Sequence, residues 1–511
     1  MSLQFIFGNS GSGKSHYLYQ QIVEESIRHP EKNYLVLVPE QFTMQTQKDL
    51  CMAHPRGGIM NIDVLSFGRL AHRVFEETGK ERQPILDDEG KNLVLRKIAG
   101  NYEDELTVLK GNLKKQGYIS EVKSVISEFT QYGIDFEQLD SFMEGLNPES
   151  YLYYKLKDIR KVYEGFEDYL RDKYITKEEL LDVLSQTVPE AKMLKDSVIA
   201  MDGFTGFTPV QNRLIGELLK VCDKIMLTVE IDRREDPFVY KHPYQLFALS
   251  KQMVTSLTEV AQEVRVEIDE PVWLCKNPSY RFKENPEMAF LEEELFRYSR
   301  RKYSGEKMRS ISLHEVHTPQ EEAQYVAEEI RRLVREEGYR YREIAVIASD
   351  LSTYADALEK ACDRYEIPVF MDHKKSILLN SFVEYLRSLL VMVEQNYTYE
   401  SVFRYLRTSL CGFTRDEVDR LENYCLALDL KGFKKWDQVW VRKTPMTTKE
   451  ELEELNHLRM RFVEKLTPLY TVLKKRKKTV KEITLAVYEY LVQEKIQEQL
   501  EELEQKFQED G

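Results

Sequence analysis

Cysteine is scarce. The six in 511 residues (Cys51, Cys222, Cys275, Cys362, Cys411, Cys425) are scattered and form no CxxC pair. That pattern argues against a cysteine-ligated metal site and for a reducing interior. Glycine (22) and proline (16) are also few, so little of the chain can be disordered linker. No apolar run approaches the roughly 20 residues of a membrane span. The N-terminus lacks a basic segment followed by an apolar core, and a strand begins at once, which argues against a secretory signal. These absences lead to an expectation of a cytoplasmic protein without membrane contact.

What is present is charge and length. Charged residues make up 31% of the chain, which suits long solvated helices, and the net charge is −14. An acidic sum argues against a protein that coats nucleic acid over its whole surface, but it leaves room for a local basic channel. At 511 residues three or four domains are expected.

The strongest local signal lies almost at the first residue. Phe5-Ile6-Phe7 is a short apolar run that meets Gly8-Asn9-Ser10-Gly11-Ser12-Gly13-Lys14-Ser15, and Lys14-Ser15 opens a helix. Leu18, Ile22, Val23 and Ile27 give that helix one apolar face, and Pro30 lies just beyond its end. Strand, glycine loop and helix in this order make a Walker A motif. Its backbone N–H groups wrap phosphates, Lys14 reaches the terminal ones, and the Ser15 hydroxyl holds magnesium. The expected cofactors are therefore ATP and Mg2+.

Further strands are expected at 34–38, ending in Pro39-Glu40-Gln41-Phe42-Thr43, and at 62–65, leading into Ser66-Phe67-Gly68-Arg69. Strands alternating with helices argue for a parallel α/β sheet. Ligands of such sheets sit at the carboxyl ends of the strands, where Gln41, Thr43, Ser66, Phe67, Arg69 and His72 would gather. Hydroxyls, an amide and an arginine beside an aromatic ring suit a nucleic-acid strand; helix capping and core packing are the plainer alternative. From about residue 83 to 192 the pattern turns helical and charged, with most tyrosines near 151–154 and 162–163 expected in helix cores. A β-run returns at Val198-Ile199-Ala200-Met201-Asp202, the form of a Walker B strand whose carboxylate holds the magnesium water shell. Thr208-Pro209 then caps the next helix, and 224–231 reads as a further strand.

A second α/β region is expected to begin near residue 309. Thr318-Pro319-Gln320-Glu321 is a helix-opening box, followed by strands at 344–348 and 367–370 around a helix at 355–365. Beyond Ser376 only helical periodicity remains. The basic run 474–478 reads either as a phosphate contact or, more simply, as a solvated helix end. The chain closes in a charged helical run at 501–506, as the N-terminal part of a longer protein would.

A P-loop at the start, a helical insertion, a distant Walker B-like Asp and a second α/β unit with its own insertion resemble the UvrD-like superfamily-one helicases. Local strings resemble more narrowly the AddB (RexB-like) family, the second subunits of AddAB-type helicase–nucleases. They are GNSGSGKS at 8–15, LVPEQFT at 37–43, VLSFGRLAHRVF at 64–75, MDGFTGFTP at 201–209, and EEAQYVAEEI and EIAVIASD at 321–330 and 343–350. The resemblance implies an α/β fold of RecA-like parallel sheets with all-helical insertions. The first RecA-like domain would be split over 1–82 and 193–300 around a helical insertion at 83–192. The second would start at 309–380, and 381–511 would be a truncated helical insertion.

The resemblance further implies ATP-dependent processing of DNA double-strand breaks for recombinational repair. It implies an AddA-type partner in a heterodimer, contact with single- and double-stranded DNA, and recognition of Chi. Gln41, Thr43, Phe67, Arg69, His72, Phe204 and Phe207 would contact the single strand. An iron–sulfur cluster and nuclease residues belong to a C-terminal part of the family that has no counterpart here, so no catalytic residue is assigned. Active superfamily-one motors have Glu after the Walker B Asp, whereas here Asp202 is followed by Gly203. Ser349 stands where an arginine finger is expected, no glutamine precedes the P-loop, and no GDxxQ string occurs. The expectation is ATP binding with slow or no hydrolysis. The alternative is an active translocase whose catalytic groups lie elsewhere; a small-molecule kinase would explain neither the length nor the second α/β unit.

Overall fold

The computed structural model describes residues 1–79, 84–112, 115–171, 173–305, 308–372, 376–408, 410–444 and 447–509. The expected insertion boundary at 82/83 lies outside them. Two units divide the chain, residues 1–314 and 315–511.

The first unit begins with β1 (Ser2–Gly8), α1 (Lys14–Arg28), β2 (Tyr34–Leu37), α2 (Thr43–Ala53), β3 (Ile62–Leu65) and α3 (Phe67–Thr78). A helical lobe follows: β4 (Ile85–Leu86), α4 (Asp88–Asn101), α5 (Gln116–Tyr132), α6 (Phe136–Glu144), α7 (Tyr151–Leu170), β5 (Ile175–Thr176) and α8 (Leu180–Thr187). The chain then re-enters the sheet through β6 (Val198–Met201), α9 (Pro209–Leu219), β7 (Lys224–Glu230), α10 (Ala248–Glu263), β8 (Glu267–Ile268) and β9 (Val272–Trp273), and ends in α11 (Pro286–Glu294).

The strand order is β3-β2-β6-β7-β1-β8, with β9 also on β1, and every ladder is parallel. Buried on both faces, such strands need apolar runs. Leu3, Phe5 and Phe7 of β1 pack on one side with Leu214 and Leu218 of α9; Ile6 packs on the other with Leu18 and Ile22 of α1. Each fully buried side chain of this size contributes about 1.5–3 kcal/mol. Ile27, expected on the same apolar face, is exposed, whereas its neighbour Ser26 is buried in the last turn of α1.

The lobe between residues 84 and 192 has a core of its own, including Leu95 and Ile98 of α4 and Val162 and Phe166 of α7. Buried Asp158 accepts the backbone N–H groups of Thr107, Val108 and Leu109, which ties the loop after α4 to α7. Of the tyrosines expected in the core, Tyr163 is buried, Tyr153 and Tyr154 are half-buried and Tyr151 is exposed.

The second unit contains α12 (Pro319–Glu336), α13 (Leu351–Arg364), α14 (Ser381–Glu394), α15 (Tyr399–Leu406), α16 (Arg415–Ala427), α17 (Phe433–Asp437), α18 (Lys449–Leu473), α19 (Val480–Gln493) and α20 (Ile496–Glu509). Thr318 caps α12 by accepting the Glu321 N–H, and Glu321 reaches back to the N–H of His317. The strands expected at 344–348 and 367–370 are corrected here. Both stretches pair with no strand, and Ile347 and Phe370 are almost fully exposed. An apolar run becomes a strand only when a neighbour takes its N–H and C=O groups, and none of the described residues does so. Residues 474–478 are exposed after α18. Among the described residues no helix is long and apolar enough to cross a membrane.

Candidate nucleotide pocket and the surface beside it

A cavity of about 720 Å³ opens at the carboxyl ends of the strands. Lys14 and Ser15 line it from the P-loop, Asp202 from β6, Thr228 and Glu230 from β7, and Arg281 from the segment before α11. The loop owes its shape to glycine. Gly13 holds φ +93° at the start of α1 and Gly11 holds φ +70°. A Cβ on Gly11 would sit 2.6 Å from the Cβ of Arg281, whose backbone N–H donates to Gly11 O at 3.0 Å. Loop and overlying segment are therefore fitted to each other.

Lys14 Nζ donates to the carbonyls of Gly8 and Asn9, both at 3.0 Å. Burial pushes its ammonium below the ordinary pKa, against the pull of Glu230 and then Asp202. Asp202 is buried and held twice: Oδ2 accepts from Tyr19 Oη at 2.8 Å and Oδ1 from Thr228 Oγ at 2.5 Å. Asn9 is buried as well. Its amide donates to both oxygens of Glu292 and to the carbonyl of Lys276, which pins the P-loop to α11. Burial raises the pKa of the Glu292 carboxyl, and the Asn9 amide opposes that.

Two buried hydroxyls, Ser12 Oγ and Ser279 Oγ, have no hydrogen-bond partner although both stand against the P-loop. Unpaired buried hydroxyls are costly, but neither of these two lines the cavity. With helix-terminal N–H groups, Lys14 and Arg281 at hand, the cavity fits a polyphosphate. Hydroxyl and carboxylate oxygens also fit a hard cation. Ser15 and Asp202 are the residues that would hold magnesium.

The seven residues expected to touch DNA divide by burial. Gln41, Arg69 and His72 are exposed, and Phe204 and Phe207 are half-buried. Thr43 and Phe67 are buried. Phe67 packs against Phe204 and Phe207 at centroid distances of 5.5 and 6.2 Å. Its ring therefore supports the other two and has no face free for a base. The Thr43 hydroxyl donates to Glu40 O, and Arg69 Nε donates to Glu40 Oε1 at 3.1 Å. An exposed ring absent from the seven, Phe42, stands beside Gly203. Its place in the string LVPEQFT was visible, but its exposure was not. Phe204 lines the cavity and joins this aromatic group, so pocket and patch share one loop.

Gly203 has φ +77°, and a Cβ there would meet the Phe42 ring at 3.6 Å. A glutamate placed after Asp202 would therefore sit in left-handed backbone, at a cost of about 1 kcal/mol or more. Gly203→Glu is expected to unfold at lower temperature than the parent chain without gaining ATP turnover. A variant of unchanged stability with faster turnover would show that the backbone accepts the missing base.

The family described as ADDB, N-terminal, matches residues 5–292, and the UvrD-like helicase C-terminal domain matches residues 281–511. Curated relatives, each named as the B subunit of an ATP-dependent helicase/deoxyribonuclease, share the whole length of the chain or nearly so. That of Lachnoclostridium phytofermentans is 40% identical over 100% of this chain and 45% of its own. That of Clostridium perfringens is 34% identical over 96% and 43%, and that of Acetivibrio thermocellus 32% over 100% and 45%. The chain spans less than half the length of these relatives. With a P-loop pocket on a parallel sheet and this match over most of its first unit, the chain belongs to the AddB family.

Proposed function

We propose that this chain is the ATP-binding, DNA-binding, helicase-like region of the B subunit of an ATP-dependent helicase/deoxyribonuclease. In this reading the complex works in the cytoplasm on DNA double-strand breaks for recombinational repair. The chain stands beside an AddA-type partner and reads Chi in the single strand. The cavity holds Mg-ATP through residues 8–15 and Asp202. Gln41, Thr43, Phe67, Arg69, His72, Phe204 and Phe207 form the DNA-reading edge, with Thr43 and Phe67 acting from beneath it. ATP turnover is far slower than that of a motor, and nuclease activity and any iron–sulfur cluster lie in another part of the full protein.

The observation that carries this reading is one loop, 202–208, which lines the cavity and carries the half-buried rings of Phe204 and Phe207, with the exposed Phe42 beside Gly203. Relatives that match the chain end to end are named as subunits of ATP-dependent helicase/deoxyribonucleases, which supports the substrate classes. The test is binding and turnover of ATP by the purified chain, with and without single-stranded DNA. Binding with turnover far below motor speed supports the reading; DNA-stimulated turnover at motor speed favours the active translocase instead.

The DNA-reading edge has its own test. Stacking of one base on an aromatic ring is worth about 1–3 kcal/mol, so Phe204→Ala is expected to weaken binding of a single-stranded oligonucleotide about fivefold to 100-fold. Arg69→Ala should lower the slope of log affinity against log salt by about one. Fluorescence anisotropy at several salt concentrations reads both. Indifference to each substitution would place the DNA elsewhere.

A further inference from the structure

Strand order and register single out one residue of the cavity that no sequence motif marks. The P-loop leaves β1 at Gly8, Asp202 follows β6, and β7 lies between those two strands. Gly8 is paired with Glu230 and Met201 with Leu227. Glu230 thus stands level with the start of the P-loop, at the carboxyl end of the strand flanked by both phosphate- and magnesium-holding elements. Strand alternation puts Met226, Thr228 and Glu230 on one face. That face is the one toward α1, because Met226 packs with Leu18 and Ile22 and Thr228 donates to Asp202.

The three carboxylates lining the cavity are Asp49, Asp202 and Glu230. Asp49 accepts from Gln45 and Asp202 from Tyr19 and Thr228. Just outside, Asp232 is bound by Arg234 and Arg297, and Glu292 by Asn9. The Glu230 carboxylate has no hydrogen bond or ion pair among the described residues and is exposed on the cavity that Lys14 also lines. A free carboxylate beside the terminal-phosphate lysine is what hydrolysis requires and what Gly203 cannot supply.

We infer that Glu230 is the water-orienting carboxylate of this site and carries its slow nucleoside-triphosphate hydrolysis. The inference rests on the reading of the cavity as an ATP site. Water, held by Glu230, gives a proton to the carboxylate as its oxygen bonds to the γ-phosphorus. The bond from that phosphorus to the β,γ-bridging oxygen breaks, leaving ADP and phosphate, and the proton returns to solvent. Arg281 and Lys14 face the charge that develops on the leaving side.

The experiment compares the parent chain, Glu230→Gln and Lys14→Ala. Affinities for Mg-ATP and Mg-ADP are measured by displacement of a fluorescent nucleotide, and phosphate release is measured at excess protein over a range of pH. The expected result is parent turnover above the Lys14→Ala background. Glu230→Gln should fall at least tenfold, on the order of the contribution of a positioned general base, with ATP affinity within threefold of the parent. Thermal unfolding, expected unchanged for an isosteric replacement at an exposed site, checks the fold.

Three results overturn the inference while leaving the ATP site intact. The first is parent turnover no higher than that of Lys14→Ala. The second is equal turnover in parent and Glu230→Gln. The third is a Glu230→Gln that binds ATP more tightly relative to ADP at unchanged rate, which would make Glu230 a repulsive gate against the third phosphate. A parent chain that binds no nucleotide overturns the reading of the cavity itself.

Discussion

Lys14→Ala is expected to weaken Mg-ATP binding about tenfold to 100-fold. Hydrogen bonds made by a charged group are worth about 1.5–3 kcal/mol, and about 1.4 kcal/mol is one decade of affinity. Lys14 Nζ donates to the carbonyls of Gly8 and Asn9, so a phosphate has only to replace bonds already pointing into the loop. Its loss is felt twice, because Glu230 and Asp202 of the same cavity then face incoming phosphate without the ammonium's compensating charge. The two carbonyls also lose a donor, which is expected to cost about 1 kcal/mol of stability. Titration with a fluorescent nucleotide and a thermal scan separate the two effects. Affinity unchanged within error would mean that the nucleotide does not sit on the P-loop; affinity lost together with most of the fold would mean that Lys14 acts structurally.

What was legible in the sequence was local. The strand–glycine–helix order at residues 5–15 predicts backbone geometry from neighbours alone, and β1, α1 and the loop between them have that form. The strand before Asp202 could be read because an apolar run ending in Asp has the form of a buried strand, and β6 lies in the sheet with Asp202 at its end in the cavity. What was not legible was distant. Asn9 and Glu292 are 283 positions apart, and the Arg281 backbone reaches Gly11 across a similar span. No periodicity connects such residues, since register between strands sets their meeting. Glu230 is the clearest case. As the last residue of an ordinary buried strand it carries no signal until β7 is known to lie between β1 and β6.

The two strands that did not form, and the burial of Phe67, have physical causes of the same kind. Residues 344–348 and 367–370 have strand-like composition, yet composition cannot supply the neighbouring strand that a ladder needs. Phe67 looked like a stacking residue because it follows a strand and precedes an arginine. It follows the α3 cap Ser66, however, and at the first helical position it turns into the cluster with Phe204 and Phe207. A residue's place in a family-matching string and its exposure are therefore different properties, and only the fold separates them.

Lys91→Ala is expected to destabilise the chain more than Gly203→Glu or Lys14→Ala, by about 3 kcal/mol, and to act on the helical lobe. Lys91 on α4 is 2% exposed, and its Nζ donates to both oxygens of Glu178 at 2.9 and 2.7 Å and to Ser127 of α5 at 3.4 Å. It joins α4, α5 and the turn before α8, next to the β4–β5 pair. Breaking a buried ion pair from one side costs about 3–5 kcal/mol, because the remaining charge is left without a partner. Glu178 retains some solvent, with a fifth of its side chain exposed, so the lower end applies. Replacing Lys91 and Glu178 together by methionine should recover most of the loss, as apolar substitutes for buried pairs commonly do. The pair also has a pH signature. Burial alone would raise the Glu178 carboxyl, but the Lys91 hydrogen bonds hold it below the ordinary glutamate value of 4.5. A carboxyl depressed on folding lends stability above its unfolded pKa and loses it as pH falls through the folded one. The contribution is therefore whole at pH 7 and fades below about pH 4.5. Because a chain of several units does not unfold in one step, hydrogen exchange of the α4–α7 amides is the measurement. Exchange accelerated about 100-fold in the lobe, with the sheet unaffected, is the expected result. Unchanged protection in Lys91→Ala would mean that water or another cation already serves Glu178, and that the buried lysine holds nothing together.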